Sequence, residues 1–263
     1  GHQRRMAAIA RACADEELSV TYVSGGLPVG GLDVGPATFV QLPPCRSPDL
    51  GFAALVDAHA QPVDAAWLRA RTDALLRAWR SAPHVALVVE TYPFGRKLMR
   101  FELEPLVAAA RADGARCFSS IRDIIEYRPK LKKYEAMAAA ALADFDQVWV
   151  HADPVLMPLE VSFPPYARIA HLIAYTGYVR EHSDALSVVL DDALLPAGEV
   201  IVSAGGGAYG GHIFDAALQA VSLVSPELRS WRLLVGQNVP QAEFLALAAH
   251  AQALQVDNPE LSI

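Results

Sequence analysis

Cysteine and positive charge are both scarce in this sequence. Lys and Arg number 22 against 29 Asp and Glu, a formal net charge of −7. That balance excludes the broad basic face that general nucleic-acid binding requires. Cys13, Cys45 and Cys117 are odd in number, widely spaced and in no metal-ligand pattern. They exclude a disulfide framework and read as reduced thiols, which leads us to expect a cytoplasmic protein. No apolar run approaches the roughly 18 residues that a membrane-crossing helix needs.

What is abundant is apolar side chain. At 263 residues and 53% hydrophobic, the chain can build one large core or two ordinary ones. The most informative stretch is Gly198-Glu-Val-Ile-Val-Ser-Ala-Gly-Gly-Gly-Ala-Tyr-Gly-Gly-His212. Val200, Ile201 and Val202 suit a short buried strand, and Ile213, Ala217, Ala220, Val221 and Val224 recur at helical spacing. A strand, a glycine turn and a helix in series aim free N–H groups at a phosphate. Gly205, Gly207 and Gly210 meet the pattern G-x-G-x-x-G. A dinucleotide site also needs an acidic residue after the next strand, yet Trp231-Arg-Leu-Leu-Val235 runs into Gly236-Gln-Asn238. Phosphate binding therefore ranks above a nicotinamide site, and a turn that only packs helix on strand is the plain alternative.

Upstream, strands and helices alternate. Met6, Ile9, Ala10 and Cys13 mark one face of a helix beginning at His2. Strands are expected at Ser19–Ser24, Thr38–Leu42, Val85–Val89 (fully buried and ending at Glu90), Ala115–Ser119, Gln147–His151 and Leu172–Tyr175. Helical spacing joins Leu68, Leu75, Leu76 and Trp79, then Leu103 to Ala110, then Tyr134 to Leu142. Cys45–Asp64 reads as an irregular loop with some helical turns. This alternation implies an α/β fold with a parallel sheet, whose ligands gather beyond the carboxyl ends of the strands. That rule singles out Ser24, Glu90 to Arg96, Ser120 to Asp123, and His151 to Asp153. Periodicity fades from 179 to 197, which reads as a linker between a first domain at 1–178 and a second at 198–263. The second holds about two strand–helix units, too few for a whole domain of this class, so a longer protein is expected.

Gly1-His2-Gln-Arg-Arg5-Met, Ser203-Ala-Gly-Gly-Gly207 and Tyr175-Thr-Gly-Tyr178, in this two-domain order, resemble the GT-B glycosyltransferases. The likeness is strongest to family 28, which includes the bacterial peptidoglycan N-acetylglucosaminyltransferase. The resemblance implies two Rossmann-like domains facing a cleft, and an inverting, metal-independent transfer from a nucleotide-diphosphate sugar to an acceptor hydroxyl. It implies no cofactor beyond that donor, and an acceptor that is lipid-linked or small. His2 would act on the acceptor as general base, and the donor diphosphate would rest on Ser203, Gly205, Gly206, Gly207, Ala208 and Tyr209. The chemistry suits the residue types, since imidazole titrates near neutrality and backbone N–H groups can stabilise a leaving diphosphate. The Asp-x-Asp pair of metal-dependent transferases is missing from the strand-end loops, and Asp191-Asp192 are adjacent.

Glu90 is a candidate catalytic or acceptor-binding carboxylate, or a cap for its own loop. Arg96 and Arg122 are candidates for an anionic acceptor, or ordinary ion-pair residues. His151 with Asp153 reads as structural. Arg128-Pro-Lys-Leu-Lys-Lys133 suits a solvated loop, with peripheral contact to an anionic membrane or phosphate as the alternative. Gly1-His2 alone would also fit the scar of an affinity tag. The competing functions are a nucleotide-sugar hydrolase or epimerase, and a non-catalytic nucleotide-sugar-binding protein. A dinucleotide oxidoreductase ranks last.

Overall fold

The computed structural model describes residues 2–48, 54–127, 129–180, 199–205, 210–221, 223–224, 230–236, 239–255 and 261–263. The chain is an α/β protein with parallel sheets, and divides into two units, Gly1–His182 and Ser183–Ile263.

The first unit opens with helix α1, His2–Asp15. Its buried face is Ala7, Ala10 and Ala14, which meet Tyr22 and Ala37 in one apolar cluster, while Met6, Ile9 and Cys13 are only half-buried. The inward face is thus rotated from the one expected: small side chains let the helix lie close to the strands, and the bulkier ones sit at the margin. Strands β1 (Thr21–Ser24) and β2 (Thr38–Gln41) follow and pair in parallel. The segment expected to be irregular carries instead a short antiparallel pair, β3 (Cys45–Arg46) and β4 (Val56–Asp57).

Helix α2, Ala65–Arg80, starts where Asp64 accepts the Trp67 N–H at 2.7 Å, a side-chain cap for an otherwise unpaired donor. It buries Arg71, Leu75 and Trp79, a strict four-residue spacing. Strand β5 (Ala86–Glu90), helix α3 (Arg100–Ala112), strand β6 (Arg116–Arg122), helix α4 (Leu131–Asp144), strand β7 (Gln147–His151), the single-turn helix α5 (Tyr166–Ile169) and strand β8 (Ile173–Tyr175) complete the unit. Strands β5 to β8 lie side by side in that order, all parallel. β5 is not the fully buried strand its composition suggests: Val85, just before it, is 86% exposed, and only Val89 within it is buried. Leu75, Trp79, Val89, Leu106, Val107 and Cys117 form one core cluster with α2 and α3. Ile121, Tyr134, Ala138, Val148, Val150 and Phe163 form another with α4.

The second unit contains β9 (Val200–Ser203), α6 (Gly211–Val221), β10 (Trp231–Leu234), α7 (Gln241–Leu254) and β11 (Leu261–Ser262). Its strands are parallel in the order β11-β10-β9, and Phe214, Leu218, Trp231, Leu233 and Leu247 close its core.

A buried ion pair ties the first unit together. Arg71 on α2 is 1% exposed and Glu102 on α3 is 4% exposed. The guanidinium grips the carboxylate at 2.7 Å (Nε to Oε2) and 3.0 Å (Nη2 to Oε1), and its Nη1 donates to the carbonyls of Gly25, at 3.0 Å, and Pro43. A Cβ on Gly25 would stand 2.2 Å from Arg71 Nη2, so any larger residue there would push the guanidinium from its place. One side chain thus joins two helices to the turns that follow β1 and β2. Removing the partner carboxylate leaves a desolvated cation, so Glu102→Ala is expected to destabilise this unit by about 3–5 kcal/mol in urea unfolding. A loss under about 1 kcal/mol would show that the pair is not the tie described here.

Candidate active site at the carboxyl edge

Parallel register places the ends of β5, β6, β7 and β8 next to one another: Glu90 pairs with Ser120, Arg122 with His151, and Val150 with Tyr175, one residue before Thr176. The polar residues at these ends meet the first turn of α1. His2 Nδ1 lies 2.6 Å from Glu90 Oε1, joining positions 88 apart in sequence. Arg5 Nη2 donates to the same oxygen at 2.5 Å, and the Thr91 hydroxyl does so at 2.8 Å. The Ser120 hydroxyl lies 3.1 Å from Glu90 Oε2, His151 Nε2 lies 2.9 Å from Ser120 Oγ, and His151 Nδ1 lies 2.6 Å from Thr176 Oγ1.

The local backbone is shaped for this gathering. Thr91 has φ of 66°, a left-handed conformation that a β-branched residue rarely adopts and that costs on the order of 1 kcal/mol or more. Its N–H is held by the Ser120 carbonyl at 2.8 Å and its carbonyl by the Gly95 N–H at 2.8 Å. Ser119 Oγ, donating to the Tyr92 carbonyl at 2.7 Å, fixes the next step of the loop. The strained turn is what brings the Thr91 hydroxyl back onto Glu90.

A carboxylate only accepts hydrogen bonds, so the His2 ring presents its Nδ1–H to Glu90. In the neutral ring the lone pair then belongs to Nε2, which has no hydrogen-bond partner among the described residues. The His2 side chain is 43% exposed while that of Glu90 is 13% exposed, so the ring reaches solvent from a buried anchor. Burial by itself would raise the Glu90 pKa; the His2 hydrogen bond, the Arg5 charge and the Thr91 hydroxyl outweigh it and leave the pKa lowered. For His151, burial and the Arg5 charge push the pKa down to about 4, against a smaller opposing pull from Glu90.

The other sequence candidates lie apart from this group. Arg122 is exposed and faces its own neighbour Asp123 at 3.5 Å. Arg96 is exposed, in a left-handed conformation at the start of a short 3-10 turn. Neither enters the hydrogen bonds around Glu90. His151 does not pair with Asp153, which caps its own loop by accepting the Val155 N–H at 2.8 Å; the imidazole turns instead to Ser120 and Thr176. Ser24 is buried and accepts a hydrogen bond from Gln3 Nε2 at 3.0 Å. The strand-end rule includes Thr91 and Ser120 without giving either a role, and it passes over Arg5, which lies on α1 beside His2, and Thr176, which follows β8.

In the second unit, Ser203 ends β9 and its Oγ accepts the Gly205 N–H at 3.2 Å. Gly205 has φ of 76° and Gly210 φ of 140°, and a Cβ on Gly210 would stand 2.1 Å from that of Ala204. Strand and helix therefore flank this glycine-rich stretch in the expected order, while Gly206, Gly207, Ala208 and Tyr209 lie outside the described residues. Glu243 Oε1 would be 2.4 Å from a Cβ on Gly211, so a carboxylate already lies beside the first turn of α6. Among the described residues no cluster of His, Cys, Asp or Glu is arranged to hold a metal ion, and no helix is long and apolar enough to cross a membrane. Comparison with protein-family models, curated proteins and solved structures returned no match.

The two shifted groups make the site acid-sensitive, and both act in the same direction. Glu90 has a lowered folded pKa, so its contribution to stability is present above the ordinary carboxylate value of 4.5 and is lost as pH falls through the folded value. His151 takes up its proton at 6.5 in the unfolded chain but only at about 4 in the folded one. Stability therefore drops across that window, by about 3 kcal/mol in all. His151→Gln should flatten the decline between pH 6.5 and 4 in urea unfolding of this unit; an unchanged slope would show that His151 is not held neutral.

Proposed function

We propose that this protein is a glycosyltransferase that moves a sugar from a nucleotide-diphosphate donor to an acceptor hydroxyl, inverting and metal-independent as the family resemblance implies. The observation that supports it best is the 2.6 Å contact between His2 Nδ1 and Glu90 Oε1. Glycosyl transfer needs an oxygen relieved of its proton as it attacks the anomeric carbon. His2 Nε2 would take that proton, and the Glu90 carboxylate on the other side of the ring would stabilise the imidazolium that forms. Arg5 and Thr91 help keep Glu90 ionised for this role.

The donor diphosphate is assigned to the turn after β9, where N–H groups and the start of α6 favour negative charge. Glu243 beside that turn is a feature a bound diphosphate must displace or a counter-charge must offset. Arg96 and Arg122 remain proposed contacts for an anionic acceptor, approached from solvent rather than through the Glu90 cluster. A peripheral membrane contact through the lysine-rich start of α4 and a cytoplasmic setting belong to the same reading.

The test is turnover with a panel of nucleotide-diphosphate sugars and acceptors in the whole protein. His2→Ala should cut kcat by about 10²–10⁴, the usual contribution of a positioned base. Nucleotide affinity in the same variant should stay nearly as it was. Wild-type kcat in His2→Ala would overturn the base assignment. Sugar release to water without any acceptor would make the enzyme a hydrolase.

A further inference from the structure

Glu90 divides its bonds unevenly. Oε1 receives His2, Arg5 and Thr91, whereas Oε2 faces the Ser120 hydroxyl at 3.1 Å. Behind Ser120 stand His151 and Thr176, and both Ser120 and His151 are buried, at 0% and 5% exposure.

A hydroxyl has one proton to give, and Ser120 has competing acceptors: Glu90 Oε2, Met6 Sδ at 3.3 Å, and His151 Nε2 if that nitrogen carries a lone pair. In the last case Ser120 would donate to the ring, and its oxygen would face Oε2 acceptor against acceptor. That mismatch is costly in a buried site. With the proton on Nε2, the ring donates to Ser120, Ser120 donates to Glu90, and Nδ1 accepts the Thr176 hydroxyl at 2.6 Å. The other acceptors for Thr176, the Gly177 carbonyl at 3.1 Å and the Val150 carbonyl at 3.5 Å, are farther away. Of the two neutral tautomers, this is the one that also gives Glu90 Oε2 a donor, since an Nδ1–H ring would satisfy itself through Thr176 and Ser120 and leave that oxygen unserved.

We propose that His151 is a positioning residue: in its neutral Nε2–H form it commits the Ser120 hydroxyl to Glu90 Oε2, and so orients the carboxylate that holds His2. Its catalytic meaning rests on the His2–Glu90 reading above, but the bonding pattern does not. The charged groups facing the ring are Arg5 from α1 and Glu90 from β5; Ser120 from β6 and Thr176 beyond β8 are neutral. Because the ring stays neutral to about pH 4, the direction of the chain is the same at all milder pH values.

The test is NMR of the whole protein with labelled histidine and glutamate side chains. His151 should show the Nε2–H tautomer. Ser120→Ala should raise the Glu90 titration by about one pH unit, and His151→Leu should move it in the same direction. His151→Gln, which keeps an N–H donor toward Ser120, should restore the wild-type titration. An Nδ1–H tautomer, or a Glu90 titration unmoved in Ser120→Ala, would overturn the proposal; this arm holds even if His151→Leu fails to fold. In turnover, Ser120→Ala should lower kcat and shift the acid limb of its pH profile upward with KM unchanged. If Glu90 responds as expected but the wild-type protein transfers no sugar, the positioning chain stands and the transferase reading falls.

Discussion

A carboxylate taken out of water must be surrounded by donors, and Glu90 is the point where this protein meets that requirement. It lies at the end of β5 with its side chain 13% exposed, and its two oxygens draw in groups from α1, from its own loop and from β6. An ionised carboxyl left unpaired there would cost several kcal/mol, so the donors are obligatory. The positions of His2, Arg5, Thr91 and Ser120 follow from that one buried charge. The left-handed turn at Thr91, held by backbone hydrogen bonds to Ser120 and Gly95, carries one of those donors.

The same carboxylate gives the imidazole a direction. A free histidine on a helix terminus has two equivalent prospects for its proton; one bound through Nδ1 to an anion has only one. The lone pair is then carried by Nε2, on a side chain that is 43% exposed. The Arg71–Glu102 pair does comparable work at greater depth, holding the turns after β1 and β2 to α2 and α3. Its effect is structural, and it keeps in place the strands over which α1 lies.

Much of this is legible in the sequence. Apolar runs and helical spacing located most of the strands and helices, and the strand-end rule pointed to Glu90, Ser120 and His151 as one neighbourhood. In the sequence Glu90 stands out by its place at a strand end and His2 by a family likeness; only folding shows them in contact. What sequence could not supply was partner choice. Periodicity cannot tell that His151 turns to Ser120 rather than Asp153, because the two alternatives differ by a side-chain rotation and not by pattern. Burial is hidden for a related reason: charge is visible in sequence, but Arg71 is buried while Arg96 and Arg122 face solvent. Of the α1 face that sequence suggests, only Ala10 is buried, because hydrophobicity favours Met and Ile where close packing favours Ala.

The most direct measurement is a double-variant cycle on turnover, comparing Glu90→Gln, His2→Ala and the two together. If His2 works as a base only because Glu90 holds and stabilises it, the double variant should lose no more kcat than His2→Ala alone. Losses that multiply, so that the double variant falls by the product of the single effects, would contradict a shared role and leave the two residues acting independently.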